Sequence, residues 1–228
     1  MTITAARLRR FERYYTPLVS DTLDRLGLPG GKKDKNGNAG FVMNHVIQHI
    51  AGGVQPKICG IAFPCRVVPT KKYVEIDKLL AMVDSIPANA IVVVAADADI
   101  GAALWGGLMS AGAMRRGARA AVVNGGVRDI EQIEALRFPV FGEYTCVTDI
   151  RRRGYMAEFN IKVNCGGVNI KPGDVIFADA NGVVVIPQEH FDLVETELHA
   201  ANREERSTMQ GLAKGETAKK LFAKYKRF

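Results

Sequence analysis

A cation and a carboxylate stand side by side where an apolar run of the sequence ends. The apolar residues 120–123 are followed by Asn-Gly-Gly-Val, and Arg128 and Asp129 come next. The end of a strand followed by a glycine turn is where α/β proteins tend to place binding sites. Arg128 has a planar guanidinium that holds a carboxylate with two parallel hydrogen bonds, and Asp129 can hold a hard divalent cation through oxygen. Together they could grip both ends of a chelating α-keto acid.

A purely structural interpretation of the same pair stays open. The segment DIEQIEALR predicts a short helix, and Asp129 is suited to cap the N-terminus of that helix. Arg128 would then pair with Asp129 or face solvent. The local sequence is compatible with both interpretations.

A second candidate element is the segment LWGGLMSAG at residues 104–112. Glycines that open a helix leave backbone N–H groups free and close to any anion bound there. The alternative is tight packing of a helix on a strand through small residues. The segment precedes Arg128 by one predicted helix and one predicted strand, so both could line one cleft.

Other polar residues give weaker signals. Arg151, Arg152 and Arg153 are consecutive, so in an extended segment they cannot all face one way. We interpret them as a solvated charge run, and the alternative is that one of them reaches an anionic substrate. The histidines form no HExxH or related metal pattern, and we interpret all of them as structural or exposed; they are His45, His49, His190 and His199.

Alternating helical and strand patterns surround these residues. Residues 4–26 predict two helical pieces, 60–70 a strand, 74–86 an amphipathic helix, 90–97 a buried strand, and 101–117 a segment that is glycine-interrupted at its start and then helical. The next strand ends at the Asn-Gly-Gly turn, and PVFG predicts another. From residue 155 turns separate short strands, and a helical tail begins at about 189. We therefore predict one α/β domain over residues 1–228, with a mixed sheet and flanking helices.

The composition, the net charge and the spacing of the cysteines indicate the class of protein. The 228 residues are 47% hydrophobic and 24% charged, as is usual for globular proteins. No apolar run is long enough for a signal peptide core or a membrane span, so we expect a cytoplasmic protein. The net charge of +7 lies partly in a basic tail; without an RNA-binding signature we expect no nucleic-acid partner. The cysteines show no CxxC spacing and predict reduced thiols; they are Cys59, Cys65, Cys146 and Cys165.

These segments together resemble the family of 4-hydroxy-4-methyl-2-oxoglutarate aldolase and the regulator of ribonuclease E activity A (RraA). The resemblance covers most of the chain. It rests on TPLVSDTLDRLG near the start, WGGLMSAGAMRRGARAAVVNGGVRD in the middle, and GGVNIKPGDVIFADANGVVVIP towards the end. The middle segment is the most specific of the three.

The resemblance implies an RraA-like swivelling β/β/α fold, a homotrimer or pair of trimers, and sites at subunit interfaces. It also implies a divalent-metal-dependent lyase that cleaves C–C bonds in small α-keto di- or tricarboxylic acids and releases pyruvate. By the same resemblance, Arg128 binds the substrate carboxylate, and Asp129 holds magnesium, manganese or another divalent cation, directly or through water. The backbone amides that meet the pyruvyl group are those of Gly107, Leu108 and Met109, and a C-terminal glutamate of a neighbouring subunit, Glu204 or Glu205, also contributes.

One position departs from the aldolase pattern. That pattern has an acidic residue with twenty residues between it and the Arg-Asp pair, and Gly107 stands there in this chain. Retro-aldol cleavage needs a base for the hydroxyl proton of the substrate, whereas decarboxylation of oxaloacetate needs mainly a metal and cationic groups. Gly107 therefore favours decarboxylation, unless the substrate brings its own acid or Glu143 or Asp149 substitutes. Arg152 or Arg153 could bind a second carboxylate.

The same family offers a non-enzymatic alternative, a trimer that inhibits a ribonuclease by protein–protein contact. Asn124 in VVNGG resembles that branch, but a net charge of +7 does not suit a partner with basic RNA-binding segments. A methyltransferase is not indicated, because the sequence lacks the loop of an S-adenosylmethionine site. We favour a magnesium- or manganese-dependent lyase; the sequence does not predict its substrate, and it indicates only a surface loop with a short helix for residues 30–53.

Overall fold

The computed structural model describes residues 3–28, 40–53 and 56–225, and a mixed β-sheet runs through its centre. The helices are α1 (Ala5–Phe11), α2 (Thr16–Arg25), α3 (Asp77–Asp84), α4 (Gly107–Arg115), α5 (Ile130–Leu136), α6 (Phe191–Ala213) and α7 (Ala218–Tyr225). The strands are β1 (Gln48–Ala51), β2 (Ile58–Pro69), β3 (Ala90–Ala96), β4 (Ala103–Trp105), β5 (Ala120–Asn124), β6 (Gly126–Val127), β7 (Val140–Gly142), β8 (Tyr144–Thr145), β9 (Gly154–Phe159), β10 (Val163–Cys165), β11 (Val168–Ile170), β12 (Val175–Asp179) and β13 (Gly182–Ile186).

The main sheet has a parallel centre with antiparallel strands at both sides. Its order is β1, β7, β5, β3, β2, β12, β13, and β9 pairs with the second half of β2. Strands β2, β3, β5 and β7 run parallel to one another. The runs 90–95 and 120–123 are apolar and fully buried, so both faces of the parallel centre must be covered.

Different elements cover the two faces of the sheet. On one face α3, α4 and α5 pack through Met82, Ala113 and Ile133. The hairpin of β10 and β11 covers the other face. Helices α1, α2 and α6 pack on the β12–β13 side, where the ring of Phe11 lies 5.5 Å from that of Phe177 and 5.3 Å from that of Phe191, measured between centroids.

A second, smaller sheet positions the candidate site. Strands β4, β6 and β8 pair in parallel, and each follows one of the main parallel strands β3, β5 and β7 after an interruption of one to six residues. Strand β4 leads into α4, and β6 leads directly into Arg128 and Asp129. Because β4 and β6 are neighbours, the start of α4 lies beside the Arg128–Asp129 pair.

The predicted mixed sheet with flanking helices is confirmed. One local prediction was wrong, and a second is tested only in part. Residues 101–117 include the strand β4 before the helix, because three residues are enough to pair with β6. The short helix expected within residues 30–53 is absent from residues 40–53, where β1 instead pairs with β7 at the sheet edge; residues 30–39 lie outside the described part. The tail is two helices, α6 and α7, after a short 3-10 turn at Gln188–His190.

Two further sequence predictions concern membranes and thiols. None of the helices in the described residues is both long and apolar enough to cross a bilayer. All cysteines are free thiols, as predicted, and burial raises the pKa of Cys59, Cys65 and Cys165. These buried thiols are therefore poor nucleophiles and poor metal ligands.

Candidate active site

Arg128 and Asp129 lie in one cleft with the first turn of α4. The cleft has a volume of about 440 Å³ and is lined by one face of α3, residues 103–106, Leu108, Met109, Arg128, Asp129 and residues 149–151. We call it the Arg128 cleft. The sequence predicts that the glycine-opened helix and the Arg-Asp pair share a cleft, and the structure places them together.

The side chain of Asp129 reaches across to the neighbouring helix. Asp129 occupies the N-cap position of α5 but has a left-handed backbone (φ 60°, ψ 41°), and its carboxylate makes no hydrogen bond to the N-terminus of α5. Instead its Oδ2 accepts a hydrogen bond of 3.0 Å from the backbone N–H of Gly107, the first residue of α4. The capping interpretation was therefore wrong for α5, because the turn directs the carboxylate towards α4 and into the cleft.

The two glycines at the start of α4 make room for different side chains. A Cβ at Gly106 would lie 2.7 Å from Oδ2 of Asp129 and 3.2 Å from Cγ of Arg128. A Cβ at Gly107 would lie 2.2 Å from Oε1 and 3.0 Å from Cβ of Gln132. Gly106 thus permits the close approach of the Arg-Asp pair, and at Gly107 the side chain of Gln132 fills the space into which a larger residue would project.

Arg128 is held from three sides. Its backbone N–H donates to the carbonyl of Trp105 at 3.0 Å. Its Nη1 donates to Oδ2 of Asp149 at 3.1 Å, and its Nε lies 3.6 Å from Oδ2 of Asp129. The side chain remains 37% exposed, so part of the guanidinium still faces the cleft and is available to an anion.

Asp149 joins Arg128 to a second cation. Its Oδ1 accepts hydrogen bonds from the backbone N–H of Arg151 at 2.7 Å and from Nε of Arg151 at 2.9 Å. The hydrogen bond from the Arg151 side chain lowers the pKa of Asp149, against a smaller opposing effect of burial. Asp149 is thus a carboxylate near neutral pH and a weak base. Its contact with Arg128 has no local signature in the sequence.

Glu143, the other candidate for a substitute acid, lies elsewhere. It lines a separate polar cavity with Asn124, whose side-chain amide donates a hydrogen bond to it. Burial raises the pKa of Glu143. Of the two proposed substitutes, only Asp149 reaches the Arg128 cleft.

The amides of the first turn of α4 divide into two groups. The N–H of Gly107 is used by Asp129, and Gly107 itself is buried and does not line the cleft. Leu108 and Met109 do line it. N–H groups in the first turn of a helix have no acceptor within the helix, so those of Leu108 and Met109 are the ones that can meet a bound anion.

The remaining polar candidates are dispersed. Arg151 lines the cleft, whereas Arg152 lies over the ring of Tyr73 and Arg153 donates to the backbone carbonyls of residues 149 and 151. On α6, Glu204 pairs with Arg25, and Glu205 accepts a hydrogen bond from Tyr15. Neither glutamate lines the Arg128 cleft of its own chain; a role in a neighbouring subunit stays a prediction.

The donor set of the cleft suits magnesium or manganese. No group of three or more His, Cys, Asp or Glu side chains within residues 3–28, 40–53 and 56–225 is placed to hold a metal ion. Magnesium, however, is often held by only one or two carboxylates and keeps several waters. Asp129 and Asp149 both line the cleft and flank the same arginine, so their oxygen atoms fit such an ion.

Comparisons with known proteins identify relatives of this chain. The sequence model of the RraA-like family, described as Aldolase/RraA, matches residues 16–185. Protein DlpA of Legionella pneumophila is 32% identical over 202 residues, which are 87% of this chain and 30% of that protein. A protein of Halalkalibacterium halodurans named "Putative 4-hydroxy-4-methyl-2-oxoglutarate aldolase" is 35% identical over 125 residues, 55% of this chain and 59% of that protein. The chain thus spans less than two thirds of the length of either relative.

A solved structure shows the same fold. The crystal structure of Streptomyces coelicolor RraAS2, described as an unusual member of the RNase ES inhibitor RraA protein family, superposes with a TM-score of 0.76. The two proteins are 21% identical, and the match covers 92% of this chain and 100% of that one. At this identity the likeness concerns the fold alone.

Proposed function

Since this chain belongs to the RraA-like (Aldolase/RraA) family, we propose that it is a divalent-metal-dependent carbon–carbon lyase that acts on small α-keto acids. The observation that carries the proposal is the meeting of Arg128, Asp129 and the first turn of α4 in one cleft. A cation, a hard oxygen donor and free helix N–H groups are what a chelating keto acid and its enolate require.

Arg128 binds the carboxylate of the substrate in this proposal. Nη1 of Arg128 donates a hydrogen bond to Asp149, so the other N–H groups of the guanidinium are left for the ligand. The ion pair with Asp149 also fixes the plane of the guanidinium. A bidentate arginine–carboxylate contact orients the substrate as well as holding it. The keto group is thereby directed towards Asp129 and α4.

Asp129, with Asp149 beside it, would hold the magnesium or manganese ion. A bound divalent cation supplies Lewis acidity that stabilises the enolate. The N–H groups of Leu108 and Met109, at the positive end of the α4 dipole, stabilise the same negative charge as it develops on the keto oxygen.

The reaction that these residues support best is decarboxylation of a β-keto acid such as oxaloacetate. The C–C bond to the departing carboxylate breaks and carbon dioxide leaves. The electron pair of that bond forms the enolate of pyruvate, and a proton from water then gives pyruvate. Retro-aldol cleavage of 4-hydroxy-4-methyl-2-oxoglutarate would in addition need a base. Gly107 offers none, and Asp149 is a weak base because its pKa is lowered by Arg151.

The experiment that tests the proposal is pyruvate release from oxaloacetate and from 4-hydroxy-4-methyl-2-oxoglutarate. Each substrate is incubated with magnesium or with chelator, and the reaction of magnesium alone is subtracted. We expect metal-dependent turnover of oxaloacetate that falls about 100-fold or more in Asp129→Ala, as when a group that stabilises transition-state charge is removed. Turnover of oxaloacetate that survives both chelator and Asp129→Ala would overturn the proposal.

The same variant separates a lyase from a regulator that inhibits a ribonuclease by contact. If the protein is a regulator, the Asp129→Ala variant should inhibit its ribonuclease as well as the native protein does, because the carboxylate lies within a cleft. Asn124 resembles the regulator branch in sequence, but it lies outside the Arg128 cleft, and the likeness to RraAS2 concerns the fold alone.

The proposal includes self-assembly. The family resemblance implies a homotrimer or a pair of trimers with sites at subunit interfaces, and Glu204 or Glu205 would then approach the Arg128 cleft of a neighbour. Light scattering should give three or six times the mass of the chain.

A further inference from the structure

The Arg128 cleft has an apolar wall that the lyase chemistry does not use. We infer that the substrate of this protein is an α-keto acid with an apolar distal substituent, a branched alkyl chain or a ring, which packs on this wall. The inference rests on the proposed function and adds the substrate class.

The wall is built mainly by α3 and the residue before it. Ile76, Leu79, Leu80 and Val83 line the cleft, and their spacing places them along one face of the helix. Leu80 is 51% exposed and Ile76 is 37% exposed. These side chains are therefore turned towards the space of the cleft and are only partly covered by the chain itself.

Apolar residues outside α3 also line the cleft. Leu108, Met109 and Ile150 line the same space, and Leu108 is 87% exposed. Leu108 and Met109 belong to the first turn of α4, whose amides are assigned to the enolate. A substituent of the keto acid would hence reach the wall without leaving the residues that hold its reacting end.

Four of the five charged side chains that line the cleft, within the described residues, form one connected cluster. Arg128 contacts Asp129 and Asp149, and Asp149 contacts Arg151. Asp84 is the one charged residue that α3 adds to the lining within the part of the chain that the structure describes. Its charge repels a carboxylate, so the α3 side of the cleft is unsuited to a second carboxylate of the substrate.

The size of the cleft agrees with a substituent. Its volume of about 440 Å³ falls within the range of roughly 300–1,000 Å³ that is usual for sites of larger small molecules. A four-carbon acid held by Arg128 and Asp129 would leave most of the α3 wall in contact with water.

The test compares two ligands of the same shape that the enzyme is not expected to cleave. 5-Methyl-2-oxohexanoate carries an isopropyl group where 2-oxoglutarate carries its distal carboxylate. Their affinities are measured by calorimetry with magnesium present. We expect 5-methyl-2-oxohexanoate to bind about tenfold more tightly or better, because each buried methyl group contributes roughly a three- to fourfold gain in affinity.

A pair of variants shows whether the preference for the apolar ligand arises at the α3 wall. Leu80→Ser should weaken binding of 5-methyl-2-oxohexanoate about three- to tenfold and leave that of 2-oxoglutarate unchanged. Leu193→Ser is the matched control, because Leu193 is 47% exposed on α6 and lies outside the cleft. Arg128→Lys should weaken both ligands, which reports on the proposed function separately.

The outcomes are distinguishable. Equal or tighter binding of 2-oxoglutarate would overturn the inference, while the proposed function stands if Arg128→Lys still weakens both ligands. Failure of both ligands to bind would overturn the inference and the proposed function together. A Leu80→Ser protein that changes its assembly in light scattering but not its affinity for 5-methyl-2-oxohexanoate would show that the wall is an interface between copies, and would also overturn the inference.

Discussion

Arg128 is positioned by neighbours that leave one edge of its guanidinium to the cleft. The carbonyl of Trp105 holds its backbone, and Asp149 and Asp129 flank its side chain. In the proposed role, this arrangement requires an arginine and not merely a positive charge. A lysine ammonium is a point charge and cannot contact Asp149 and a substrate carboxylate in one plane.

Replacing Arg128 by lysine should therefore impair turnover strongly. Hydrogen bonds to charged groups contribute about 1.5–3 kcal/mol, so kcat/KM for oxaloacetate should fall about 10- to 100-fold in Arg128→Lys. Arg152→Lys is the control, because Arg152 lies over Tyr73 and outside the cleft. Steady-state kinetics decide the point, and an Arg128→Lys enzyme with normal kcat/KM would refute the role assigned to the guanidinium.

Gly107 and Gln132 should behave as a coupled pair. A Cβ at Gly107 meets the side chain of Gln132, whereas alanine in a helix is otherwise more favourable than glycine by about 0.5–1 kcal/mol. The change in the free energy of unfolding caused by Gly107→Ala should be less favourable by about 0.5–1 kcal/mol in the native protein than in the Gln132→Ala variant. Urea unfolding of the four proteins measures the coupling, and strictly additive effects would contradict the contact.

The local sequence predicts the position of Asp129 but not the contact that its carboxylate makes. The pattern of a strand, a glycine turn and an Arg-Asp pair was sufficient to select both residues. It was equally compatible with capping of α5, which the structure does not show. The carboxylate bonds to Gly107, twenty-two positions earlier, and no local pattern predicts a contact set by the pairing of β4 with β6.

At the scale of elements, helix α2 is capped from a distant strand. Its N-cap residue, Tyr15, makes no side-chain capping bond. Instead Oδ2 of Asp179, at the end of β12, accepts from the backbone N–H of Thr16 at 2.8 Å, and Oδ1 accepts from the Thr16 hydroxyl at 2.7 Å. Asp179 is 3% exposed. The contact fixes α2 on the β12–β13 side of the sheet.

Asp179→Ala should lower the free energy of unfolding by about 2–4 kcal/mol, because it removes a buried charge-assisted cap and leaves Thr16 without its acceptor. Asp21→Ala, at an exposed position of the same helix, should change it by less than about 0.5 kcal/mol. Chemical denaturation of both variants provides the comparison. A similar loss in the two would show that the cap is not the cause.

Strand β1 carries a histidine that should make stability depend on pH. His49 packs on Phe141, with ring centroids 5.4 Å apart, and its buried Nε2 has no hydrogen-bond partner within the part of the chain that the structure describes. Burial lowers the pKa of His49 below its usual value near 6.5. Because the unfolded chain then binds the proton more tightly, protonation favours unfolding.

The free energy of unfolding should hence fall as pH drops from 6.5 to the lowered pKa of folded His49, and level off below it. His49→Phe should lack this component, whereas His45→Gln, at an exposed position, should retain it. Urea titrations at pH 7.5 and at several values below 6.5 reveal the difference. Identical pH profiles for the native protein and His49→Phe would disprove this assignment.

At the scale of the whole molecule, hydrophobic patterns predicted those strands of the sheet that are long and buried. The runs at β3 and β5 are apolar on both faces and were predicted as strands, and the helix α4 was predicted from its spacing. Strands β4, β6 and β8 have only two or three residues. Such segments become strands only because their neighbours lie beside them in three dimensions, and periodicity cannot reveal this.

The candidate cleft was predictable in part for the same reason. The order of strand and helix along the chain was enough to bring α4 and the Arg-Asp pair together. Asp149 and Arg151 were each only one of several acidic or basic candidates, and the apolar face of α3 comes from a segment with no local signature of a site. Arg151 was one of three consecutive arginines, and only the turn at residues 149–153 decides which of them enters the cleft.

The central claim is that Arg128 and Asp129 hold the two ends of a metal-chelated keto acid. It is tested most directly by a crystal structure of the protein with manganese and oxalate, in which anomalous scattering locates the metal. We predict manganese beside Asp129, bound directly or through one water, with an oxalate carboxylate against the guanidinium of Arg128. Manganese and oxalate bound away from both residues, with Asp129 still engaged only by Gly107, would contradict the account.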